Sequence, residues 1–266
     1  MDVDVETFAI TNTGLLRPEN EDSFLLYHPA DEGLRRSKGI LAVVADGVGG
    51  HLGGRKASET TVTLIKEHYV KGSADVQSSL TQAFGIANAG IYALANKNMQ
   101  YRGMATTCTA MVLKEKEGVI AHVGDSRAYI FRQGDLTQIT TDHTLVERFV
   151  SEGHITRRQA KNHPQRNVLL RALGSKGTVE IETHHVILGD GDTILLCSDG
   201  LHGMVSHEEI TSILSSSCPL AEGGNRMIDL ANKAGGADNI TLILLRIRTT
   251  EIDKTPIPTE TKAAYA

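Results

Sequence analysis

Short uninterrupted apolar runs recur along the chain, and an aspartate stands at one end of four of them. The clearest run is residues 40–45, Ile-Leu-Ala-Val-Val-Ala, whose length and lack of alternation predict a strand buried on both faces. Because the strands of one core bring their ends together at its rim, these aspartates are expected to converge although they are far apart in sequence. They are Asp46, Asp125, Asp199 and Asp238.

Between these runs the spacing of apolar residues predicts helices and further strands. Residues 53–69 and about 74–98 place apolar side chains at helical intervals, so both segments are expected to pack on the core. Residues 103–132 predict a succession of antiparallel strands. Two more helices, the first beginning at a Ser206 capping box, precede a final strand over 240–247. This order predicts an α+β fold in which two mostly antiparallel sheets are flanked by helices.

The polar, basic stretch from Asp142 to Arg171 interrupts this order. A short helix from about Thr144 to Gly153 and a second one, begun by a capping box at Thr156, are predicted within it. Such a segment is expected to be a surface excursion that could border a functional site and touch a substrate. A plain connecting insertion fits the same pattern equally well.

Several carboxylates in one place predict a metal site. Uncompensated carboxylates repel one another, and their pKa values rise unless cations neutralise them. Oxygen ligands without a Cys or His cluster favour Mg²⁺ or Mn²⁺ over zinc. The charged stretch before the strand at residues 24–27 would by itself be a solvated loop, but beside a metal–phosphate site it adds two candidates. Arg17 could grip a phosphate with its planar guanidinium, and Asp22 could hold metal-bound water.

The composition narrows the classes of protein that fit. A chain of 266 residues with 40% hydrophobic content can bury a full core, and we expect one domain over residues 1–248. The formal net charge of −5 supplies no basic stripe for nucleic acid, and no apolar run reaches the length of a membrane span. Residues 249–266 are rich in Thr, Pro, Lys and Ala without periodicity, which predicts a disordered tail.

The N-terminus and the cysteines favour a cytoplasmic location. The first six residues are acidic and lack both the positive region and the apolar region of a signal peptide. Three cysteines, Cys108, Cys197 and Cys218, cannot all pair, and their spacing is not that of a metal site. A reducing compartment is therefore expected.

Eight short motifs give the chain a family resemblance. In order they are Arg17-Pro-Glu-Asn-Glu-Asp22, Asp46-Gly-Val-Gly-Gly-His51, Gly103-Met-Ala-Thr-Thr107, Gly124-Asp-Ser-Arg127, Asp142-His143, Arg171-Ala-Leu-Gly174, Ser198-Asp-Gly200 and Asp238-Asn-Ile-Thr241. Together they resemble the motifs of the metal-dependent type 2C protein serine/threonine phosphatases over residues 7–247. The segment from Gly153 to Asn167 resembles the bacterial branch of that family.

The resemblance implies a fold and a site. The fold would be a four-layer αββα sandwich with two Mn²⁺ or Mg²⁺ ions in the cleft between its sheets, and a third, weaker ion as in bacterial relatives. Seven residues would take part. Asp46 would bridge both ions, the Gly47 carbonyl would bind one of them, and Asp199 and Asp238 would bind the other. Asp125 would hold the third ion together with Asp199, and Asp22 would act through water. Arg17 would bind the substrate phosphate.

The implied reaction is hydrolysis of phosphoserine and phosphothreonine by a hydroxide that bridges two ions, without a covalent phosphoenzyme. Val48 stands where the animal enzymes have a histidine, so His51 is the nearest candidate for the general acid, weighed equally against a structural or metal-water role. His143 lies in a family motif, but the sequence gives it no chemical role.

The implied partners are phosphorylated proteins, including a Ser/Thr kinase or its substrates, and we expect a monomer. Two other functions compete with this interpretation. The chain could be a catalytically silent regulatory binding module of the same fold, which loss of an aspartate would have favoured, and none is lost. It could also be a phosphohydrolase of small molecules.

Overall fold

The computed structural model describes residues 3–49, 52–72, 75–216 and 218–249. Its strands are β1 Val3–Asn12, β2 Ser23–Tyr27, β3 Ile40–Ala45, β4 Gly47–Val48, β5 Ala105–Thr106, β6 Cys108–Lys114, β7 Glu117–Val123, β8 Arg127–Arg132, β9 Asp135–Gln138, β10 Glu182–Ile187, β11 Thr193–Cys197 and β12 Ile240–Thr249. Its α-helices are α1 Glu32–Lys38, α2 Leu52–Lys71, α3 Val76–Lys97, α4 Leu145–Ser151, α5 Arg157–Lys161, α6 Asp199–His202, α7 His207–Ser215 and α8 Leu220–Lys233, with a 3₁₀ turn at Met99–Tyr101.

Two five-stranded sheets carry the architecture. One has the strand order β1-β12-β11-β8-β9, and the other has the order β10-β7-β6-β3-β2. Every neighbouring pair in both sheets is antiparallel. A short antiparallel ribbon of β4 and β5 stands apart from them. The arrangement confirms the predicted pair of antiparallel sheets.

The side chains of β3 show how the layers stack. Ala42 and Val44 join a cluster between the two sheets that includes Leu196 and Ile243 from the opposite sheet. The alternate residues of β3 point to the other side, where they pack beneath α2 and α3. The strand is therefore buried on both faces, which is why its sequence is apolar without alternation.

Helices cover the outer face of each sheet. On one side, Ile65 of α2 and Phe84 of α3 are fully buried against the sheet that contains β3. On the other side, Ile213 of α7 and Met227 of α8 pack against Leu244 and its neighbours in β12. Two sheets between two helix layers give the predicted αββα sandwich, and the apolar stripes of the helices account for it.

Some details differ from the prediction. Helix α1 was not predicted; it buries none of its residues, so it has no apolar stripe, and it begins at the Asp31 N-cap. Strand β12 runs two residues past the predicted end, to Thr249. Residues 250–266 of the predicted tail lie outside the described residues, so the domain boundary stays a prediction. None of the described helices has the length and hydropathy to cross a bilayer.

Candidate metal centre

The antiparallel register brings the predicted aspartates to one end of both sheets. Ala45, the last residue of β3, pairs with Ser23, the first residue of β2, so Asp46 after β3 and Asp22 before β2 lie at the same end of the sheet. In the same way Cys197 pairs with Leu242, which brings Asp199 beside the residues that open β12. Five carboxylates meet in the resulting cleft: Asp22, Asp46, Asp125, Asp199 and Asp238.

Asp46 lies at the centre of this group. Desolvation in the cleft and then the negative charges of the other four carboxylates raise its pKa well above the usual range of a carboxyl group. Its main chain is fixed by β5 and the residue that follows, because its carbonyl accepts hydrogen bonds from Thr106 Oγ1 at 2.8 Å and from the Thr107 amide at 2.9 Å. Asp46 is therefore central among the carboxylates and its main chain is held in place, while its role as a bridge between two ions stays a prediction.

Asp22 is buried at the floor of the cleft. Its Oδ2 accepts hydrogen bonds from Ser198 Oγ at 2.7 Å and from Thr241 Oγ1 at 2.6 Å. Burial, opposed by these bonds and aided by Asp199 and Asp238, raises the pKa of Asp22 to about 7. The two hydroxyl groups therefore fix the orientation of a carboxyl group whose charge is poorly compensated by the protein alone.

Two buried carboxylate oxygens of this site, Asp22 Oδ1 and Asp199 Oδ1, have no hydrogen-bond partner. Unpaired buried oxygens are costly, and a hard divalent cation is the ligand that such a set of donors suits. Within the described residues, no three or more His, Cys, Asp or Glu side chains are arranged in their present positions so that they could hold a metal ion. Burial and then the charge of Asp238 raise the pKa of Asp199, whereas its interaction with Asp46 acts in the opposite direction. The residues fit Mn²⁺ or Mg²⁺ by donor type and by their unpaired oxygens.

Arg17 lies at the mouth of the cleft, about half exposed. Its Nη2 donates to Asp238 Oδ2 at 2.7 Å, and the charges of Asp46 and Glu21 lie nearby. This hydrogen bond raises the pKa of the guanidinium further. The predicted phosphate-binding residue and a predicted metal ligand are thus partners in this structure.

Asn239 holds the loop that carries Arg17 and Asp22. Its Nδ2 donates to the carbonyl oxygens of Thr13 and Glu19, and its Oδ1 accepts the Glu21 amide at 2.8 Å. No role was predicted for Asn239, although it is a polar residue directly before an apolar strand, and the structure buries it with its polar groups paired.

Gly47 allows the backbones around Asp46 to approach closely. A Cβ atom at this position would lie 2.3 Å from the Gly54 carbonyl oxygen and 2.6 Å from that of Glu21. No other residue fits there. The role of the Gly47 carbonyl as a ligand stays a prediction. His51 and Gly50 lie outside the described residues.

Asp125 is buried on a turn that follows β7. Burial and the charges of Asp199 and Asp142 raise its pKa well above the usual range, with Arg127 acting in the opposite direction. Gly124 has φ +115°, a conformation that favours glycine. Two histidines contact this turn: the Gly124 amide donates to His143 Nδ1 at 3.1 Å, and His202 Nε2 donates to the Asp125 carbonyl at 3.0 Å.

The excursion, defined here as residues 144–170, contains α4 and α5 as predicted, and the capping box at Thr156 is formed. Its two ends meet, since the Leu170 amide donates to the His143 carbonyl at 2.7 Å. Beyond it, Leu173 exchanges two backbone hydrogen bonds with Thr106, the residue that bonds to Asp46. Both ends of the excursion are thus anchored beside the aspartate cleft, which favours a bordering segment over a remote insertion.

Comparison with known proteins connects this cleft to a family. Residues 20–241 match the sequence family described as Protein phosphatase 2C. The serine/threonine phosphatase stp of Listeria innocua serovar 6a is 38% identical over 240 residues, which cover 88% of this chain and 93% of that protein. The crystal structure of the Mycobacterium tuberculosis serine/threonine phosphatase PstP/Ppp aligns with a TM-score of 0.82 and 36% identity, covering 92% of this chain and 99% of that one.

A further solved structure is the catalytic domain of the serine threonine protein phosphatase PstP in complex with two manganese ions. It aligns with a TM-score of 0.81 and 34% identity, covering 93% of this chain and 100% of that one.

Proposed function

The chain belongs to the protein phosphatase 2C family, and from this premise we propose that it hydrolyses phosphoserine and phosphothreonine in proteins with two divalent cations held by its aspartate cleft. The observation that carries the proposal is the pair of buried oxygens without partners, Asp22 Oδ1 and Asp199 Oδ1, in a cleft of five carboxylates. The relative that binds two manganese ions supports the choice of metal.

We assign the ions to Asp46 and the Gly47 carbonyl, together with Asp199 and Asp238. Asp125 with Asp199 would hold a third, weaker ion, and Asp22 would act through water. When bound, Mn²⁺ or Mg²⁺ would supply Lewis acidity, lowering the pKa of a shared water and offsetting charge on the phosphoryl oxygens.

The protein's own contribution is to fix the donors before the ions arrive. The hydroxyl groups of Ser198 and Thr241 hold one oxygen of Asp22 and leave the other available. Thr106 and the Thr107 amide hold the main chain of Asp46. Preorganisation of this kind means that little reorganisation is needed during the reaction.

Arg17 is proposed to bind the substrate phosphate. Its guanidinium is half exposed at the mouth of the cleft, and it already pairs with the carboxylate of Asp238. If Asp238 turns to a cation, the guanidinium loses that single hydrogen bond, and a phosphate could replace it with two oxygens that match the planar guanidinium. His51 remains the sequence-based candidate for the group that protonates the departing seryl or threonyl oxygen.

We propose phosphorylated proteins as substrates, among them a Ser/Thr kinase or the proteins it modifies, and we expect the chain to act on them as a monomer. The names of the relatives support protein substrates over small molecules. A silent binding module is disfavoured because all five carboxylates are present and converge.

The test is hydrolysis of a small aryl phosphate and of a phosphothreonine peptide, with Mn²⁺ and with chelator, by the wild-type protein and by Asp46→Asn. Turnover that requires Mn²⁺ and is lost in Asp46→Asn is the expected result. Asp229→Asn, on an exposed position of α8, is the matched control and should retain turnover.

Two outcomes would contradict the proposal. Faster turnover of nucleotides than of any phosphopeptide would favour a small-molecule phosphohydrolase. A folded protein that binds Mn²⁺ but hydrolyses neither ester would favour the silent binding module.

A further inference from the structure

The turn that carries Asp125 is held from two sides by histidines outside the group of proposed ligands. On one side His143 contacts Gly124 twice: its Nδ1 accepts the Gly124 amide at 3.1 Å, and its own amide donates to the Gly124 carbonyl at 2.7 Å. On the other side His202 Nε2 donates to the Asp125 carbonyl at 3.0 Å. The His143 and His202 side chains thus hold the peptide groups before Gly124 and after Asp125, and the His143 amide holds the peptide group between Gly124 and Asp125.

The two histidines come from different parts of the fold. His202 is the last residue of α6, whose first residue is Asp199, so this hydrogen bond ties the Asp125 turn to the helix that carries Asp199. His143 lies directly before the excursion and is buried. The turn is therefore held both by the helix that carries Asp199 and by the residue that precedes the excursion.

The hydrogen bonds of His143 define its tautomer. Because Nδ1 accepts a hydrogen bond from a backbone amide, that nitrogen carries no hydrogen, and the ring hydrogen is on Nε2. Nε2 donates to Glu182 Oε2 at 3.0 Å, and Arg171 Nη1, which lies 3.3 Å from the same nitrogen, cannot donate to it in this tautomer. Glu182 is itself oriented, since its Oε1 accepts the Thr141 amide at 3.1 Å. The acceptor that Gly124 needs is thus presented by a ring that Glu182 holds in place.

The Asp125 turn depends on such contacts because its backbone is unusual. Gly124 has φ +115°, and a Cβ there would lie 2.5 Å from the Thr107 side chain, so the turn is tightly enclosed. The turn presents the Asp125 carboxyl group, and among the neighbouring charges that of Asp199 has the largest effect on it. A small rotation of the turn would therefore change how Asp125 and Asp199 face each other.

We propose that His143 and His202 are positioning residues that hold the Gly124–Asp125 turn so that the carboxylates of Asp125 and Asp199 face a common cation. This inference rests on the proposed function, because it concerns the third ion of that site. The two residues act through the turn and do not touch the ion or the substrate.

The test uses the different geometry of asparagine and glutamine. An asparagine oxygen can take the position of Nδ1, whereas a glutamine amide reaches the position of Nε2. At position 143 the required group is an acceptor at Nδ1, so His143→Asn should preserve the turn and His143→Gln should not. At position 202 the required group is a donor at Nε2, so His202→Gln should preserve the turn and His202→Asn should not.

Mn²⁺ binding to the metal-free protein is measured from the electron paramagnetic resonance signal of free Mn²⁺. The weakest Mn²⁺-binding step is expected to be absent in Asp125→Asn, and this absence identifies it. We expect His143→Gln and His202→Asn to weaken that step about five- to tenfold, the effect of one lost hydrogen bond, and to leave the tighter steps within about twofold. His143→Asn and His202→Gln should bind like the wild type. Amide hydrogen exchange at Gly124, followed by NMR, should be faster in His143→Gln than in His143→Asn.

The crossed order of the variants separates positioning from packing. If asparagine is the better replacement at both positions, or glutamine is at both, side-chain volume explains the result and the proposal is wrong. It is also wrong if all four variants bind Mn²⁺ like the wild type, or if the wild type binds two ions with no third step. A wild-type protein that binds no Mn²⁺ would overturn the proposed function itself, whereas the preceding results leave the two-ion site intact.

Discussion

Replacing Asp22 with asparagine should make the metal-free fold more stable, because Asp22 is a buried carboxylate that the proposed metal site requires and the fold does not. Asp22 Oδ2 accepts two hydroxyl hydrogen bonds, from Ser198 and Thr241, while its Oδ1 is buried without a partner. An asparagine oxygen would accept the same two bonds, and its amide group would occupy the position of the unpaired oxygen. The change removes a buried charge and keeps the shape of the side chain.

The size of the effect follows from the pKa of Asp22, which burial and neighbouring carboxylates raise from 3.8 to about 7. The folded protein therefore keeps a proton on Asp22 that the unfolded chain releases near pH 4. Stability from this group is present below pH 4 and is lost as the pH rises through 7. A difference of about three pKa units corresponds to about 4 kcal/mol above pH 7, which is a ceiling because the other carboxylates share the ionisation.

The assay is urea unfolding of the metal-free wild type and of Asp22→Asn between pH 5 and pH 8. As the pH rises over this range, the free energy of unfolding of Asp22→Asn should increase by a few kcal/mol relative to that of the wild type, because only the wild type must ionise Asp22. Saturating Mn²⁺ should narrow the gap at pH 8, since binding to the folded state stabilises the wild type more.

The exposed Asp229→Asn serves as control and should show no such trend. A difference between Asp22→Asn and the wild type that stays constant from pH 5 to pH 8 would refute the reasoning, as would a variant that is less stable than the wild type at pH 8.

Two further predictions concern the mouth and the support of the cleft. Arg17→Ala should raise the KM for a phosphopeptide about 10- to 100-fold, the range for a lost charged hydrogen bond, which steady-state kinetics would measure. It should change the free energy of unfolding in urea by less than about 1 kcal/mol, because its ion pair is half exposed. An unchanged KM would contradict phosphate binding by Arg17. Gly47→Ala should destabilise the fold by several kcal/mol and abolish Mn²⁺ binding, since its Cβ would lie 2.3 Å from the Gly54 carbonyl oxygen. The control Gly85→Ala, in open space on α3, should raise the free energy of unfolding by about 0.5–1 kcal/mol. Equal effects of the two substitutions would refute the argument.

The layers of the fold could be predicted because burial on both faces leaves a mark in the sequence. Strand β3 is apolar at every position, and helix α3 repeats its buried residues at helical spacing. The convergence of the aspartates followed from the same runs, since the end of one antiparallel strand lies beside the start of its neighbour. Helix α1 left no such mark, because it buries nothing.

The supports of the site could not be predicted, because they depend on which distant segments meet. His202 contacts a carbonyl 77 residues away, and His143 contacts an amide 19 residues away. Asn239 bonds to a loop more than two hundred residues earlier in the chain. In each case the partner is a backbone group, which has no signature in the sequence, so neither histidine could be distinguished from a packing residue.

The closed stem of the excursion has a consequence for how such a protein can diversify. The Leu145 amide bonds to the Val168 carbonyl, and an isolated bridge joins Thr144 to Leu169, so the two ends of the segment lie side by side. The entropy cost of a longer loop between fixed ends grows slowly, by about 0.6 kcal/mol per doubling of length. Residues 146–167 can therefore be exchanged as a cassette, grafted from a relative or lengthened, while the sheets and their five carboxylates keep their places.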